Sequence, residues 1–106
     1  MMSSALASEL SKHVLMLMND KYGNYVVQNI LNTQPAVESA PIYEAAYGRI
    51  LSLSVQKYSS NVIEKCFVQA PDYIKRNYVD EMASSELVGT LISDKFGNFV
   101  LQRVLE

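Results

Sequence analysis

Three pairs of polar side chains, each four residues apart, carry the chemistry of this sequence. They are Asn24 and Gln28, Ser60 and Glu64, and Asn98 and Gln102. A primary amide holds a donor and an acceptor together. An Asn and a Gln one helical turn apart can therefore match a partner edge that shows both kinds of group. A carboxylate accepts two hydrogen bonds at once, and does so in charge-assisted contacts. Glu64 thus suits a partner with two adjacent donors, and Ser60 is small enough to let that partner approach. Directly after the first member of each pair stand Tyr25, Asn61 and Phe99. Two of these offer a flat face for stacking.

The elements that position these pairs form a repeat. The first positions, 24, 60 and 98, are 36 and 38 residues apart, a spacing that marks units of one or two helices each. The match extends outward. A lysine precedes each first position by three residues (Lys21, Lys57, Lys95), followed by an aromatic (Tyr22, Tyr58, Phe96) and a small residue (Gly23, Ser59, Gly97). A leucine stands seven residues upstream (Leu17, Leu53, Leu91) and a bulky apolar residue seven downstream (Leu31, Phe67, Leu105). At about 100° per residue each copy makes an amphipathic helix. Val26, Val27, Ile30 and Leu31 share one face; so do Val62, Ile63, Cys66 and Phe67, and so do Val100, Leu101, Val104 and Leu105. The opposite face presents the polar pairs and the stacking residues. The apolar classes stay constant while the presented residues change, as they do where one face selects a partner.

"YGNYVVQ", "YSSNVIEKC" and "FGNFVLQ" resemble the base-reading helices of Pumilio/PUF RNA-binding repeats over nearly the whole chain. The middle copy, Ser-Asn-x-x-Glu followed by Lys-Cys, is similar to the next-to-last repeat of that family, and its neighbours to the sixth and eighth. The resemblance implies an all-α, right-handed α-solenoid of three helical repeats, a fragment of a larger array. It also implies one base per repeat, with the RNA antiparallel to the repeats. Asn98, Phe99 and Gln102 would take U, whose edge shows two acceptors and one donor. Ser60, Asn61 and Glu64 would take G, whose edge shows two adjacent donors. Asn24, Tyr25 and Gln28 would take U. The word is 5′-UGU-3′. Phe99 departs from the family's usual tyrosine: the stacking face remains and the hydroxyl is absent. By the same resemblance the chain would serve a cytoplasmic regulator of mRNA 3′ untranslated regions, in repression or decay. Its partners would be the remaining repeats of the same protein and deadenylation or repression machinery.

Composition sets limits. Hydrophobic residues make up 49% of the 106 and charged ones 19%, which permits a real core and an ordered fold. The net charge of −2 runs against a strongly electrostatic nucleic-acid binder unless the cations collect on one face. Lys21, Lys57, Lys65, Lys95 and Arg103 lie near the motif stripe and are candidate contacts to an RNA backbone or rim. No apolar run reaches the length of a membrane span, and the start of the chain does not read as a secretory signal. The single cysteine, Cys66, cannot form an internal disulfide and reads as a core residue. His13 reads as surface or inter-repeat packing, and the methionines as core filler. No catalytic triad, metal spacing or phosphate loop appears, so no enzyme, metal or cofactor is expected. The rival from another class is an armadillo-like α-solenoid that holds a peptide without RNA. It predicts no amide pairs flanking a serine–carboxylate pair.

Along the chain, residues 1–106 read as one partial domain with repeats near 4–34, 35–70 and 71–106. A first helix is expected over 4–18, with Leu6, Leu10, Val14 and Leu17 inward. Asp20 is a plausible cap for a helix over about 20–33. "TQPAVESAP" reads as the inter-repeat loop, and Pro41 as the first turn of a helix whose stripe is Ile42, Ala46, Ile50 and Leu53. The second motif helix spans about 56–69 and stops at Ala70-Pro71. A helix from Asp72 to about Met82 follows. A short helix capped by Ser84 or Ser85 comes next, with Leu87, Val88, Leu91 and Ile92 inward. Asp94 caps the last motif helix. Both ends of the stack are expected to expose core surface or to be covered by protein outside this sequence.

Overall fold

A computed structural model describes residues 4–86 and 88–105, and every regular element among them is helical. In chain order they are α1 (Ser4–Met18), α2 (Gly23–Thr33), α3 (Ala36–Ala46), α4 (Ile50–Ser54), α5 (Ser59–Gln69), α6 (Asp72–Ala83), α7 (Thr90–Ser93) and α8 (Gly97–Leu105). The motif helices α2, α5 and α8 pack side by side in one layer. α1 packs on α3 in the opposite layer, and the short α4 and α7 lie against α5 and α8. The result is an α-solenoid with extents of 40 × 27 × 24 Å.

The core lies between the layers. The stripe of the middle copy is wholly inside: Val62, Ile63, Cys66 and Phe67 are all buried. At the ends the same positions differ. Val26 is 54% exposed and Leu105 is 77% exposed, while their counterparts Val62 and Phe67 are covered. The first of these positions is covered by the preceding motif helix and the second by the following one, and α2 and α8 each have a motif neighbour on one side only. In α1, Val14 is half-buried, Leu17 is exposed and Met18 is fully buried, one position later than the expected stripe. The side chains of Leu6 and Leu10, and Leu87 as a whole, lie outside the described residues.

The motif helices α2 and α5 start at Gly23 and Ser59, three residues past the expected 20 and 56, and three other boundaries move further. The inter-repeat loop after α2 is only Gln34 and Pro35, because Pro35 opens α3: the N–H groups of Glu38 and Ser39 both donate to its carbonyl, at 3.0 and 3.2 Å. Pro41 therefore sits inside α3 and not in its first turn, at the loss of one intrahelical hydrogen bond. The stripe Ile42, Ala46, Ile50 and Leu53 is buried as expected, yet it spans two helices. Gly48 has φ +87°, a left-handed conformation that ends α3 and restarts the chain as α4. The short helix before α8 starts at Thr90, after tight turns in which Leu91 N–H bonds Val88 O and Ile92 N–H bonds Gly89 O. It buries Leu91 and leaves Ile92 71% exposed.

The break at Gly48 is closed from the next repeat. Glu81, on α6, accepts the N–H of Gly48 at 2.6 Å and that of Ile50 at 2.8 Å, one with each carboxylate oxygen. The carboxylate thus serves two amides at the start of α4. Replacing Glu81 by Ala should cost about 1.5–3 kcal/mol, the range for hydrogen bonds to a charged group. Urea unfolding reads the cost, and hydrogen exchange should quicken most at the amides of Gly48 and Ile50. A loss spread evenly over the chain would argue against a local clamp.

Two side-chain amide bonds join consecutive repeats, one between the turns that lead into α2 and α5 and one between those helices near their C-terminal ends. Asn19 donates to Gln56 Oε1 at 2.6 Å, and Gln69 donates to Asn32 Oδ1 at 3.1 Å. Tyr78 on α6 joins α3 to the motif layer: its ring lies edge-on to Phe67 of α5, with centroids 5.8 Å apart, and its hydroxyl donates to Tyr43 O of α3 at 2.7 Å.

Candidate functional site

The first and third motif helices begin in the same way. Asp20 Oδ2 accepts the N–H groups of Tyr22 and Gly23 at 2.9 and 2.7 Å, and Asp94 Oδ2 accepts those of Phe96 and Gly97 at the same two distances. Amide groups at a helix start have no intrahelical partner, so each aspartate satisfies donors that would otherwise be left open. These two bonds hold the Asp20 carboxyl below the usual carboxylate range. In the middle repeat the place is taken by Gln56, which accepts from Asn19 of the preceding repeat instead. Ser59 stands there where the other copies have glycine. A Cβ on Gly23 would lie 2.8 Å from Leu17 O; in the middle repeat the Ser59 hydroxyl donates to the equivalent Leu53 O at 2.7 Å.

From these starts the site residues are placed unevenly. Asn24 was expected on the presented face, yet it is fully buried. Its Nδ2 donates to the carbonyls of Asp20 and Lys21, at 2.8 and 3.0 Å, and its Oδ1 accepts from Gln28 Nε2 at 3.0 Å. Asn98 repeats the pattern: Nδ2 donates to Asp94 O at 2.8 Å and Lys95 O at 3.1 Å, and Oδ1 accepts from Gln102 Nε2 at 3.1 Å. In both pairs the asparagine is the inner member and the glutamine the outer one. Ser60 is buried too, its hydroxyl donating to Lys57 O at 3.2 Å. Glu64 is half-buried, and no hydrogen bond or ion pair engages it among the described residues.

The three copies converge on one surface. Gln28 from α2, Asn61, Glu64 and Lys65 from α5, and Arg103 from α8 line one depression of about 130 Å³. Tyr25 and Phe99 are 66% and 56% exposed, and Asn61 is exposed between them in chain order. Each lysine of the repeat lies over the ring of the residue after it: Lys21 over Tyr22 and Lys57 over Tyr58 at 5.5 Å, and Lys95 over Phe96 at 5.0 Å, all within cation–π range. The candidate backbone cations Lys21, Lys57, Lys65, Lys95 and Arg103 all belong to the motif helices or the turns leading into them. Glu38, Glu44, Asp72, Asp80 and Glu81 belong to α3 and α6. The motif helices and their entry turns thus carry these five cations beside the acids Asp20, Glu64 and Asp94, while α3 and α6 carry their five acids beside the cations Lys75 and Arg76.

Cys66 lies in the core, and burial pushes its thiol up to about 12, which keeps it protonated and inert. His13 is exposed. Among the described residues no group of three or more His, Cys, Asp and Glu could hold a metal ion, and no helix is long and apolar enough to cross a membrane.

The sequence alone did not reveal the inward turn of Asn24 or the placement of each repeat lysine over the ring that follows it. A signal for the first was present: Asp20 and Asp94 precede the two asparagines by four residues, and the middle copy has Gln56 before a serine.

Comparison with known proteins agrees with this geometry. The profile of the Pumilio-family RNA binding repeat matches residues 13–45, 49–83 and 88–106. A Pumilio domain-containing protein of Schizosaccharomyces pombe is 35% identical over 101 residues, which are 95% of this chain and 15% of that protein. Pumilio homolog 12 of Arabidopsis thaliana is 35% identical over 95% of this chain and 17% of its own length. The chain therefore spans less than a fifth of these relatives. Among solved structures, the Puf3 RNA binding domain bound to a Cox17 RNA 3′ UTR recognition sequence superposes with a TM-score of 0.82 at 31% identity, over 94% of this chain and 29% of that one. PUF-8 in complex with PBE-RNA gives 0.80 at 28% identity, over 95% and 31%. With its three motif helices in one layer and the family's repeat matched three times along its length, this chain belongs to the Pumilio family of RNA-binding repeat proteins.

Proposed function

We propose that the chain binds single-stranded RNA one base per repeat and reads 5′-UGU-3′. The observation that carries this is the register of three polar pairs, two Asn/Gln pairs flanking one Ser/Glu pair, on three adjacent helices, with exposed stacking residues beside the outer two. Asn98 and Gln102 take the first U, Ser60 and Glu64 the G, and Asn24 and Gln28 the second U. Tyr25 and Phe99 stack on bases, a contact of roughly 1–3 kcal/mol each. Asn61 is a weaker platform, and Arg103 and Lys65 at the same depression can flank its base. Lys21, Lys57 and Lys95 form a cationic edge along the track for the phosphates. The RNA-bound structures that this fold resembles support the assignment of the partner class. In this reading the chain works within a longer array, in the cytoplasm, on mRNA 3′ untranslated regions, where bound RNA is directed to repression or decay.

Affinity tests the reading. Three base contacts must first offset the entropy of ordering a flexible strand. The isolated chain should bind a UGU-containing RNA at about micromolar or weaker, and should rank it above UUU, UAU and UCU. Fluorescence anisotropy measures both. Equal binding to all four sequences would overturn base reading. Nanomolar binding to the bare trinucleotide would show that other surfaces carry the contact.

A further inference from the structure

An amide that reads a base has a problem that a carboxylate does not. The two oxygens of Glu64 are equivalent acceptors, so turning the group over changes nothing. The two ends of Gln28 are opposite in character. Turned over, a glutamine places a donor where it had an acceptor. Uracil offers N–H at ring position 3, whereas cytosine offers a bare acceptor nitrogen there. The outermost amide atom therefore decides between them.

The structure contains a device for this, and it is present only where it is needed. In the first repeat Asp20 binds the amides of Tyr22 and Gly23, which shapes the turn whose carbonyls, Asp20 O and Lys21 O, converge on Asn24 Nδ2. With its nitrogen so held, Asn24 can offer only its oxygen to the next turn, and Gln28 Nε2 donates to it. Gln28 Oε1 is then the outward end. The third repeat has the same chain of contacts through Asp94, Asn98 and Gln102, with distances that agree within 0.1 Å. The middle repeat has Gln56, Ser60 and Glu64 at the three places, and no such relay runs through them.

We propose that Asp20 and Asp94 are positioning residues for uracil selection: acting through Asn24 and Asn98, they hold Gln28 and Gln102 with oxygen outward, and so reject cytosine. This rests on the base-reading function proposed above. The repeat whose reader is a symmetric carboxylate has dispensed with both the aspartate and the asparagine.

The test substitutes Asp20→Gln, the residue that the middle repeat already carries at this place within the same fold. Anisotropy titrations compare UGU with UGC, which changes only the base assigned to the first repeat. The preference for UGU should fall about fivefold, the scale of one hydrogen bond, while the preference for UGU over CGU, read by the third repeat, stays unchanged. The same substitution in a Gln28→Glu background should leave base preference unmoved, because a carboxylate has no orientation to lose. If Asp20→Gln instead weakens all RNAs equally in both backgrounds, Asp20 is a helix cap and the positioning role is overturned. In the free protein, the side-chain amide NMR signals of Gln28 and Gln102 should both be protected from exchange, and Asp20→Gln should release Gln28 alone. Protected amides together with no base preference in the unsubstituted chain would overturn the base-reading function and leave the relay as a fold feature. Unprotected amides beside a clear preference for UGU would overturn the relay alone.

Discussion

Replacing Ser60 by Asn together with Glu64 by Gln is expected to move the preferred RNA from UGU to UUU. In the proposed reading the unsubstituted Glu64 would accept two donors from guanine and repel a uracil carbonyl, since two acceptors would then face each other. The double substitution copies the first repeat's pair onto the second. The backbone is ready for it: Ser60 N–H bonds Gln56 O at 3.0 Å, as Asn24 N–H bonds Asp20 O at 3.1 Å. An asparagine at 60 can thus reach the carbonyls of Gln56 and Lys57, as Asn24 reaches those of Asp20 and Lys21. The core stripe of Val62, Ile63, Cys66 and Phe67 is untouched, so the fold should persist. The change in preference should be about 1–3 kcal/mol for the altered base contacts. Glu64→Gln alone should weaken UGU without restoring UUU, because Ser60 spends its hydroxyl proton on Lys57 O and has no amide to orient the new glutamine. Adding Gln56→Asp should sharpen the new preference by completing the relay. Competition among UGU, UUU, UAU and UCU measures all three variants. A double variant that still ranks UGU first by the original margin would show that this pair does not read the base.

The largest expected loss of stability comes from Tyr78→Ala. Tyr78 is buried where α3, α5 and α6 meet, edge-on to Phe67 and hydrogen-bonded to Tyr43 O. Burial raises its phenol far above the usual range, so it remains a donor at any working pH. Removing the ring should cost about 3–5 kcal/mol, the range for an aromatic truncated in a core. That is a large share of a domain total of about 5–15 kcal/mol. Tyr78→Phe keeps the ring and loses one hydrogen bond. Tyr43 O retains the N–H of Tyr47 at 3.1 Å, so no acceptor is stranded, and the cost should be about 0.5–1.5 kcal/mol. Urea unfolding followed by circular dichroism separates the two. An alanine variant no weaker than the phenylalanine variant would show that α6 is held to the rest of the array by other contacts.

The sequence by itself determined the class of fold, the number of motif helices and the register of the three pairs. The helices and their number follow from local periodicity, apolar residues at helical spacing and a period near that of one repeat; the solenoid class follows from the motif's resemblance to a known repeat, and of the prolines Pro71 marks a boundary while Pro41 lies inside α3. It also determined that the middle copy differs in kind from its neighbours, since a carboxylate and an amide are different chemistry whatever the fold. The tertiary structure alone decided what depends on contacts across the chain. Val26 and Val62 occupy the same phase of the same motif, yet one is exposed and the other fully buried, because only the second has a motif helix before it. Ile42 to Leu53 is one apolar stripe in the sequence but two helices in space, closed at the break by Glu81 from the next repeat. Asn24 sits on the polar side of its helix and reads as presented, yet the turn that Asp20 shapes draws its amide inward. Helical phase gives the direction of a side chain from its own axis. What stands in that direction is set by a preceding turn, for which Asp20 is the sequence signal, or by a neighbouring repeat, which no local pattern encodes.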